Sequence, residues 1–378
     1  MKKVLMLSTY GDFLATFELS NISLWRELEC EVHAVSNFSA DEYNLKTRRL
    51  DDLGVICHEI EFERSPFKKN NFTAFRQLLC LIRREQFDII DCHNAVIGAF
   101  ARLAAAICQV PKVIYTPHSF FFYKGCPKKN LLLFKTAESL LARKTDLLIA
   151  INQEDYHAAQ AMKIRGKALY VPGIGIDTVA IAALPAQRMK YREELNLPQD
   201  AKIFISVGEL IARKNHATAI RAFAEALPDN AYYVICGIGE KETELNELIT
   251  SLGMQGRIRL LGYRQDVKEL MRAADVFVFP SLQEGLPVAL MEAMAAGLPC
   301  VVSRIRGNTD LIDSGKGGIL FDSADEIALA KDISELADNK KKRESYGQHN
   351  IRRVKEFDIT NVQHIMRKEY ARIIKELS

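Results

Sequence analysis

No two cysteines of this 378-residue chain form a C-x-x-C pair; Cys30, Cys57, Cys80, Cys92, Cys108, Cys126, Cys236 and Cys300 are scattered. That spacing excludes a zinc ribbon or a dithiol redox motif, and it reads as reduced thiols in a cytosolic protein. Long apolar runs are also missing. The longest, Val96 to Cys108, is interrupted by Arg102 and falls short of the roughly 20 residues a bilayer span needs. The N-terminal MKKVLMLSTYGDF carries two lysines, but Asp12 and the lack of an extended apolar region predict a first buried strand and not a signal peptide. Low-complexity segments are absent. Neither sign of charge dominates: 51 Lys and Arg against 48 Asp and Glu leave +3, so composition calls for no nucleic-acid partner. What remains is ordinary globular text, 48% hydrophobic and 26% charged, long enough for two domains at roughly 150 residues each.

Short β-branched or aliphatic runs recur at Val4–Ser8, Glu31–Ser36, Asp88–Cys92, Lys112–Thr116 and Leu147–Ile151, each followed by helical text. That rhythm predicts a parallel α/β sheet with crossover helices. Punctuation by Pro172, Gly173, Gly175 and Pro185 then breaks the pattern, and a second series (IFISVG, YYVICG, IRLLG, DVFVFP, CVVS) starts at Lys202. The expected organisation is two doubly wound domains, residues 1–178 and 199–359, joined by a linker at 179–198. A helical tail at 360–378 has apolar spacing at Val362, Ile365, Met366 and Tyr370.

The stretch DVFVFPSLQEGLPVALMEAMAAGLPCVVS, residues 275–303, reads as strand, loop, helix, glycine stop and strand. Pro287 suits a first helical turn and Gly297 the stop, which predicts a helix from about Leu286. Free amides at such a start, on the carboxyl edge of a parallel sheet, favour an anion such as phosphate. Glu284 precedes the helix and Glu292 lies roughly 7 to 8 Å further along its axis. A carboxylate beside a phosphate site accepts best from a neutral hydroxyl, which suggests sugars as partners. Taken alone, Glu284 could equally complement the helix dipole and Glu292 be a solvated helix residue.

The spacing of Glu284 and Glu292 within EGLPVALMEAMAAGLPCV resembles the E-x7-E pattern of retaining glycosyltransferases of family 4. VGELIARKNH, CGIGE, LLGYRQDV, DIIDCHN, VIYTPHSFFFYKG and VPGIGIDT are also similar to that family's landmarks. The resemblance implies the GT-B fold: two Rossmann-like domains facing across a cleft, nucleotide on the C-terminal one, acceptor on the N-terminal one, and a final helix crossing back. It further implies that Glu292 holds ribose hydroxyls, Glu284 the transferred sugar, that the Gly285, Leu286, Pro287 and Val288 segment lies against the distal phosphate with the amides around Leu286 to Val288 donating to it, and that Lys214 supplies the main cation. Glu209 follows Gly208 where the family often has Arg, and the neighbouring Arg213 is a candidate to compensate. Tyr263 and Arg264 are placed near the base, contacting it through backbone groups. His118 resembles the family's sugar-contacting histidine. Gly11, Asp12, His93 and Lys124 are acceptor-side candidates; for His93 the competing reading is a turn-stabilising role, and for Asp12, read in the first strand-to-helix loop, a loop cap. Retention at such sites is ascribed to attack on the face the nucleotide leaves, the departing phosphate taking the proton; no metal or other cofactor is implied.

Residues 101–150 carry Arg102, Lys112, Lys124, Lys128, Lys129, Lys135, Arg143 and Lys144 against Glu138 and Asp146. With Phe120, Phe121, Phe122 and Tyr123 and the following LLLFKTAESLLARK, this forms either a surface for anionic lipid or a core-facing helix with a solvated basic side. The expected activity is transfer of a hexosyl or N-acetylhexosaminyl group from a UDP-sugar to a glycan or polyprenyl-diphosphate-linked acceptor of a bacterial capsule, exopolysaccharide or O-antigen. The expected location is cytoplasmic, with attachment to the inner membrane's cytoplasmic face as an option. A sugar-nucleotide epimerase and an inactive nucleotide-sugar-binding partner are the alternatives.

Overall fold

The computed structural model describes residues 1–39 and 48–377; the last residue of the predicted tail lies outside them. The chain divides into two compact units, Met1–Gly175 with the segment from Thr360 onward, and Ile176–Ile359.

The first unit contains a seven-stranded parallel sheet. Its strands are β1 (Lys3–Tyr10), β2 (Glu31–Asn37), β3 (Ile56–Glu59), β4 (Ile89–His93), β5 (Lys112–Thr116), β6 (Leu147–Ala150) and β7 (Lys167–Tyr170), in the order 3-2-1-4-5-6-7. β1 shows why its text is continuously apolar. Side chains alternate across a strand, so Val4 and Met6 enter one core and Leu5 and Leu7 the other, and all four are fully buried.

The second unit has six parallel strands: β8 (Lys202–Val207), β9 (Ala231–Cys236), β10 (Ile258–Leu260), β11 (Val276–Phe279), β12 (Cys300–Ser303) and β13 (Gly318–Phe321), ordered 10-9-8-11-12-13. Both sheets reverse direction of growth beside their first strand, between β1 and β4 and between β8 and β11. Ligands in doubly wound sheets bind outside the carboxyl ends at such a switch point. The loops after β1, β4, β8 and β11 are therefore where chemistry is expected, and they carry most of the candidate residues.

The helix Ile359–Lys375 belongs to the first unit. Val362, Met366, Tyr370 and Ile373 form its buried stripe and join the core of Val4, Met6 and Trp25. The Tyr370 ring stacks on Trp25 at 3.7 Å, and both donate to Asp91 Oδ2, the indole Nε1 at 3.1 Å and the phenol at 3.0 Å.

The stretch read as a linker at 179–198 is instead folded into the second unit as helices Thr178–Ala183 and Arg188–Glu194. Its charged composition concealed a buried side: Tyr191 and Arg192 are each 1% exposed. Arg192 donates to the Ala201 and Ala273 carbonyls and to Asp275 Oδ2, which also accepts the Ile203 amide. The helix is thereby fastened to the start of β8.

Arg102, which interrupts the longest apolar run, is fully buried in helix Ala95–Cys108. Its Nη2 lies 2.9 Å from Glu138 Oε2 and its guanidinium 3.7 Å above the Tyr115 ring, whose hydroxyl donates to Glu138 Oε1 at 2.8 Å. Glu138 thus anchors helix Lys128–Ala142. Of that helix's leucines only Leu141 is buried: Leu131, Leu132, Leu133 and Leu140 are 40%, 74%, 49% and 59% exposed, interspersed with exposed Lys128, Lys129 and Lys135.

Candidate active site

In the second unit the loop after β8 runs from Gly208 to a short helical turn, Ala212–Lys214, and the loop after β11 leads to helix Val288–Ala295. The helix begins two residues later than expected, because Pro287, with ψ near 120°, is its extended N-cap. The amides of Val288, Ala289 and Leu290 open the helix, where backbone donors lack intrahelical acceptors.

Glu284, its side chain 9% exposed, places Oε1 2.8 Å from Lys214 Nζ and 3.0 Å from Arg213 Nη1, and both donate to it. Arg213 is held by the Gln283 carbonyl at 2.8 Å, while its own carbonyl accepts from the Leu282 amide at 2.9 Å. The two loops are therefore laced together. Lys214 lies 5.0 Å from the Phe279 ring centre, its aliphatic stem crossing Gly208, where a Cβ would stand 3.4 Å from Cδ and Cε. The CGIGE glycines permit the neighbouring approach: a Cβ on Gly237 would fall 1.9 Å from the Gly208 carbonyl oxygen, and one on Gly239 2.5 Å from that of Leu210. Gly307, at φ +81°, likewise packs against Gly285, whose carbonyl oxygen would be 2.3 Å from its Cβ. Arg306 donates to the Glu284 carbonyl.

Glu292 sits one turn into the helix, its side chain 17% exposed and 3.2 Å from Lys268 Nζ. Burial raises its carboxyl above the usual range and Lys268 opposes the rise. Glu209 projects into solvent, 3.8 Å from Arg213 Nη2. Tyr263 is 62% exposed. Arg264 is engaged elsewhere: it grips Asp266 with two donors at 2.8 and 2.7 Å and Glu194 with a third at 2.7 Å. Those bonds, with the Tyr191 hydroxyl, hold the Asp266 carboxyl at about 2.

In the first unit, His93 ends β4 and His118 follows β5; both project toward Glu18, which joins helices Gly11–Phe17 and Leu19–Glu27. His93 Nδ1 is 3.1 Å from His118 Nε2, and Glu18 Oε1 is 3.5 and 3.4 Å from those same nitrogens. Glu18 Oε2 accepts from Asn21 at 2.7 Å. Burial pushes Glu18 up to about 8, with the Asp91 charge adding to it and Asn21 opposing. Burial lowers His93 to about 3 and His118 well below its ordinary value. Asp12 lies in the first turn of helix Gly11–Phe17, not in a loop before it. Gly11 makes room for Phe38, whose Cδ1 would meet a Cβ at 2.4 Å. Lys124 is exposed, its amide donating to Glu154.

Residues 187–353 match the family described as "Glycosyl transferases group 1", and residues 22–179 match "Glycosyltransferase Family 4". Over 89% of its length the chain is 33% identical to the "Putative glycosyltransferase EpsD" of Bacillus subtilis, covering 87% of that protein. The chain is a family 4 glycosyltransferase. It is also 33% identical, over 81% of its length and 85% of the relative's, to an Escherichia coli protein named UDP-Gal:α-D-GlcNAc-diphosphoundecaprenol α-1,3-galactosyltransferase. Anabaena HepE, solved in complex with UDP and glucose, shares its fold, with a TM-score of 0.80 at 18% identity, covering 98% of this chain and all of that one. Two Rossmann-like units of this order are those of the GT-B fold, and the epimerase and inactive-partner alternatives give way to a transferase.

This glycosyltransferase brings Gly208, Arg213, Lys214, Glu284 and Gly285 together in the second unit, with Leu286, Pro287 and Val288 leading into the helix. Glu292 pairs with Lys268, a residue that sequence reasoning passed over although it stands in the DVKEL text after the LLG landmark. Glu18 was missed as well. Nothing in TFELSN carries a motif, and its partners arrive from two distant strands. Glu18, His93 and His118 are, among the described residues, the cluster able to offer three ligand atoms to a metal ion; spacing along the chain gave no sign of it.

Proposed function

We propose that this glycosyltransferase transfers a sugar from a UDP-sugar, with retention of anomeric configuration, to a polyprenyl-diphosphate-linked sugar during assembly of a bacterial surface polysaccharide. The observation that carries the reading is the convergence of Lys214 and Arg213 on one Glu284 oxygen beside a helix start. A diphosphate entering here meets two cations and the amides of Val288 to Leu290, a set of charge-stabilising donors that needs no metal on the phosphates. Glu284, released from its ion pairs, accepts from hydroxyls of the transferred sugar, and Glu292 from those of the ribose. The acceptor oxygen bonds to the anomeric carbon on the face from which the nucleotide departs. The bond to the distal phosphate breaks, and a phosphate oxygen takes the acceptor's proton. The names of the Escherichia coli relative and of HepE's bound ligand favour uridine and a lipid diphosphate.

The helix Lys128–Ala142, anchored through Glu138 and presenting leucines among lysines, supports contact with an anionic membrane surface, where such acceptors reside. A cavity of about 480 Å3 lined by Lys128, Leu132, Lys135, Leu140 and Arg143 lies along it. Mass spectrometry of reactions pairing UDP-, GDP- and ADP-sugars with polyprenyl-linked and soluble acceptors tests the proposal, and NMR of the product's anomeric proton tests retention. A product formed only from GDP- or ADP-sugars, or only on soluble acceptors, overturns the corresponding half.

A further inference from the structure

We propose that the loop following β3 is a second membrane-contact element of the first unit, placing Phe67 and Phe72 in the headgroup layer of an anionic bilayer. From Arg64 to Phe72 the chain reads RSPFKKNNF, three cations and no carboxylate. Phe67 is 77% exposed and Phe72 69%, and among the described residues they are the two most exposed aromatic side chains.

The loop that holds them is braced. Asn71 is fully buried; its Oδ1 accepts the Glu63 amide at 2.8 Å and its Nδ2 donates to the Ser65 carbonyl at 2.8 Å. Asn70 donates to the Glu61 carbonyl at 3.2 Å, and buried Phe62 roots the start of the loop in the core. The Arg64 guanidinium lies 4.7 Å from the Tyr10 ring centre, which joins the loop to the end of β1. Two phenyl rings held in water by a fixed backbone concentrate apolar surface at one spot, the mark of a face that meets a partner. The charges name that partner. Among the described residues no carboxylate pairs with Arg64, Lys68 or Lys69. Lys68 and Lys69 also precede helix Asn70–Glu85, whose first turn holds no acid, so both stand against the helix dipole. Exposed aromatics among unpaired cations suit the interface of an anionic membrane, where rings enter the headgroup boundary and lysines meet lipid phosphates. The loop lies at the carboxyl edge of its sheet, the edge at which ligands of a doubly wound domain bind, and a lipid-linked acceptor arrives from a bilayer. The inference rests on the reading that the acceptor is such a lipid, and it adds to helix Lys128–Ala142 a contact built on a different strand.

Trp25, the one tryptophan of the chain, is fully buried, so the full-chain Phe67→Trp variant carries a single exposed indole. Its fluorescence is read with vesicles of phosphatidylglycerol and phosphatidylcholine in equal parts, and with phosphatidylcholine alone. A blue shift with the anionic vesicles, quenched by bromine on the lipid acyl chains, is expected. In sedimentation with the same vesicles Phe67→Ser should weaken partitioning about tenfold, and Lys68→Ser combined with Lys69→Ser about tenfold or more. Unchanged Trp25 emission in these serine variants shows that the first unit stays folded. An indole that remains in water while the protein sediments overturns the loop and leaves helix Lys128–Ala142 as the contact. Absence of sedimentation overturns it as well. An equal response to neutral vesicles rejects the anionic partner, and a blue shift without vesicles that grows with protein concentration rejects the membrane in favour of a second copy of the chain. Sugar transfer to soluble and polyprenyl-linked acceptors, measured on the same preparations, reports on the acceptor reading separately.

Discussion

Glu284 Oε1 receives both Lys214 Nζ, at 2.8 Å, and Arg213 Nη1, at 3.0 Å, so the residue assigned to the sugar and the cations assigned to the diphosphate hold one another. Donor binding must exchange these ion pairs for phosphate and hydroxyl contacts. Removing one partner of this part-buried charge pair has effects that depend on which side is lost, and the two sides make different predictions for nucleotide affinity.

Lys214→Ala should weaken UDP binding by about 2 kcal/mol or more, roughly thirtyfold, because a part-buried charged donor to phosphate is gone. Glu284→Gln should leave UDP affinity unchanged or higher, since both cations become available, while kcat falls about ten- to a hundredfold for want of the carboxylate on the sugar. Calorimetry with UDP and steady-state kinetics on the same two proteins separate these outcomes. Equal loss of UDP affinity in both variants contradicts the assignment.

Glu292→Gln should raise the donor KM about tenfold or more through lost ribose contacts, and it should not lower the melting temperature. Burial already disfavours its charge, and its counter-ion among the described residues is Lys268, whose side chain is 49% exposed. A fall in melting temperature with unaltered KM would make Glu292 a purely structural helix residue.

Tyr370→Ala and Tyr370→Phe measure the closing helix. The alanine variant loses the stack on Trp25 and leaves a cavity, which costs about 3–5 kcal/mol. The phenylalanine variant keeps the ring and loses one donor to Asp91, costing about 1–3 kcal/mol. Urea denaturation followed by Trp25 fluorescence, the one tryptophan of the chain, reads both. Equal losses would show that the ring contributes little.

Asp266 predicts an acid-sensitive contribution. Its carboxyl is held at about 2 by Arg264 and Tyr191, below the unfolded value of about 3.9. The contribution is therefore fully present above the unfolded value and disappears as pH falls through the folded one. Asp266→Asn should lower the melting temperature at pH 6, and the gap to wild type should close between pH 4 and 2, roughly, as the carboxylate protonates. A gap independent of pH rejects the ionic account.

Leu132→Asp combined with Leu140→Asp should abolish sedimentation with vesicles containing anionic lipid and leave UDP affinity untouched, because both leucines are solvent-facing on a helix of the first unit. Sedimentation that is unchanged, or that never depended on anionic lipid, removes the membrane surface from the proposal.

Much of the architecture was legible because strands buried on both faces, such as the centre of β1, β6 and β11, read as unbroken apolar runs. The donor loops were legible for a related reason: Glu284, the helix start and Glu292 are contiguous, so their geometry follows from helix rise alone. Where partners are distant, the text was silent. Glu18 meets His93 and His118 only after three chain segments converge, and the pairing of Arg102 with Glu138 depends on how two helices pack. The outward leucines of Lys128–Ala142 stayed undecided in the text and the buried edge of Arg188–Glu194 misled for one reason: composition counts residues but does not say which side of a helix faces the core. Pro287 moved the helix start because the same ring that tolerates a first turn also serves as an extended cap.

The helix beginning at Ile359 supplies Met366 and Tyr370 to a core whose other members, Val4, Met6 and Trp25, are made first. During synthesis, the earliest strands must therefore wait, partly uncovered, while the whole second unit emerges and folds. Only when the ribosome has delivered that last helix can the first unit seal, so premature termination late in translation leaves an exposed apolar face for chaperones and proteases to find.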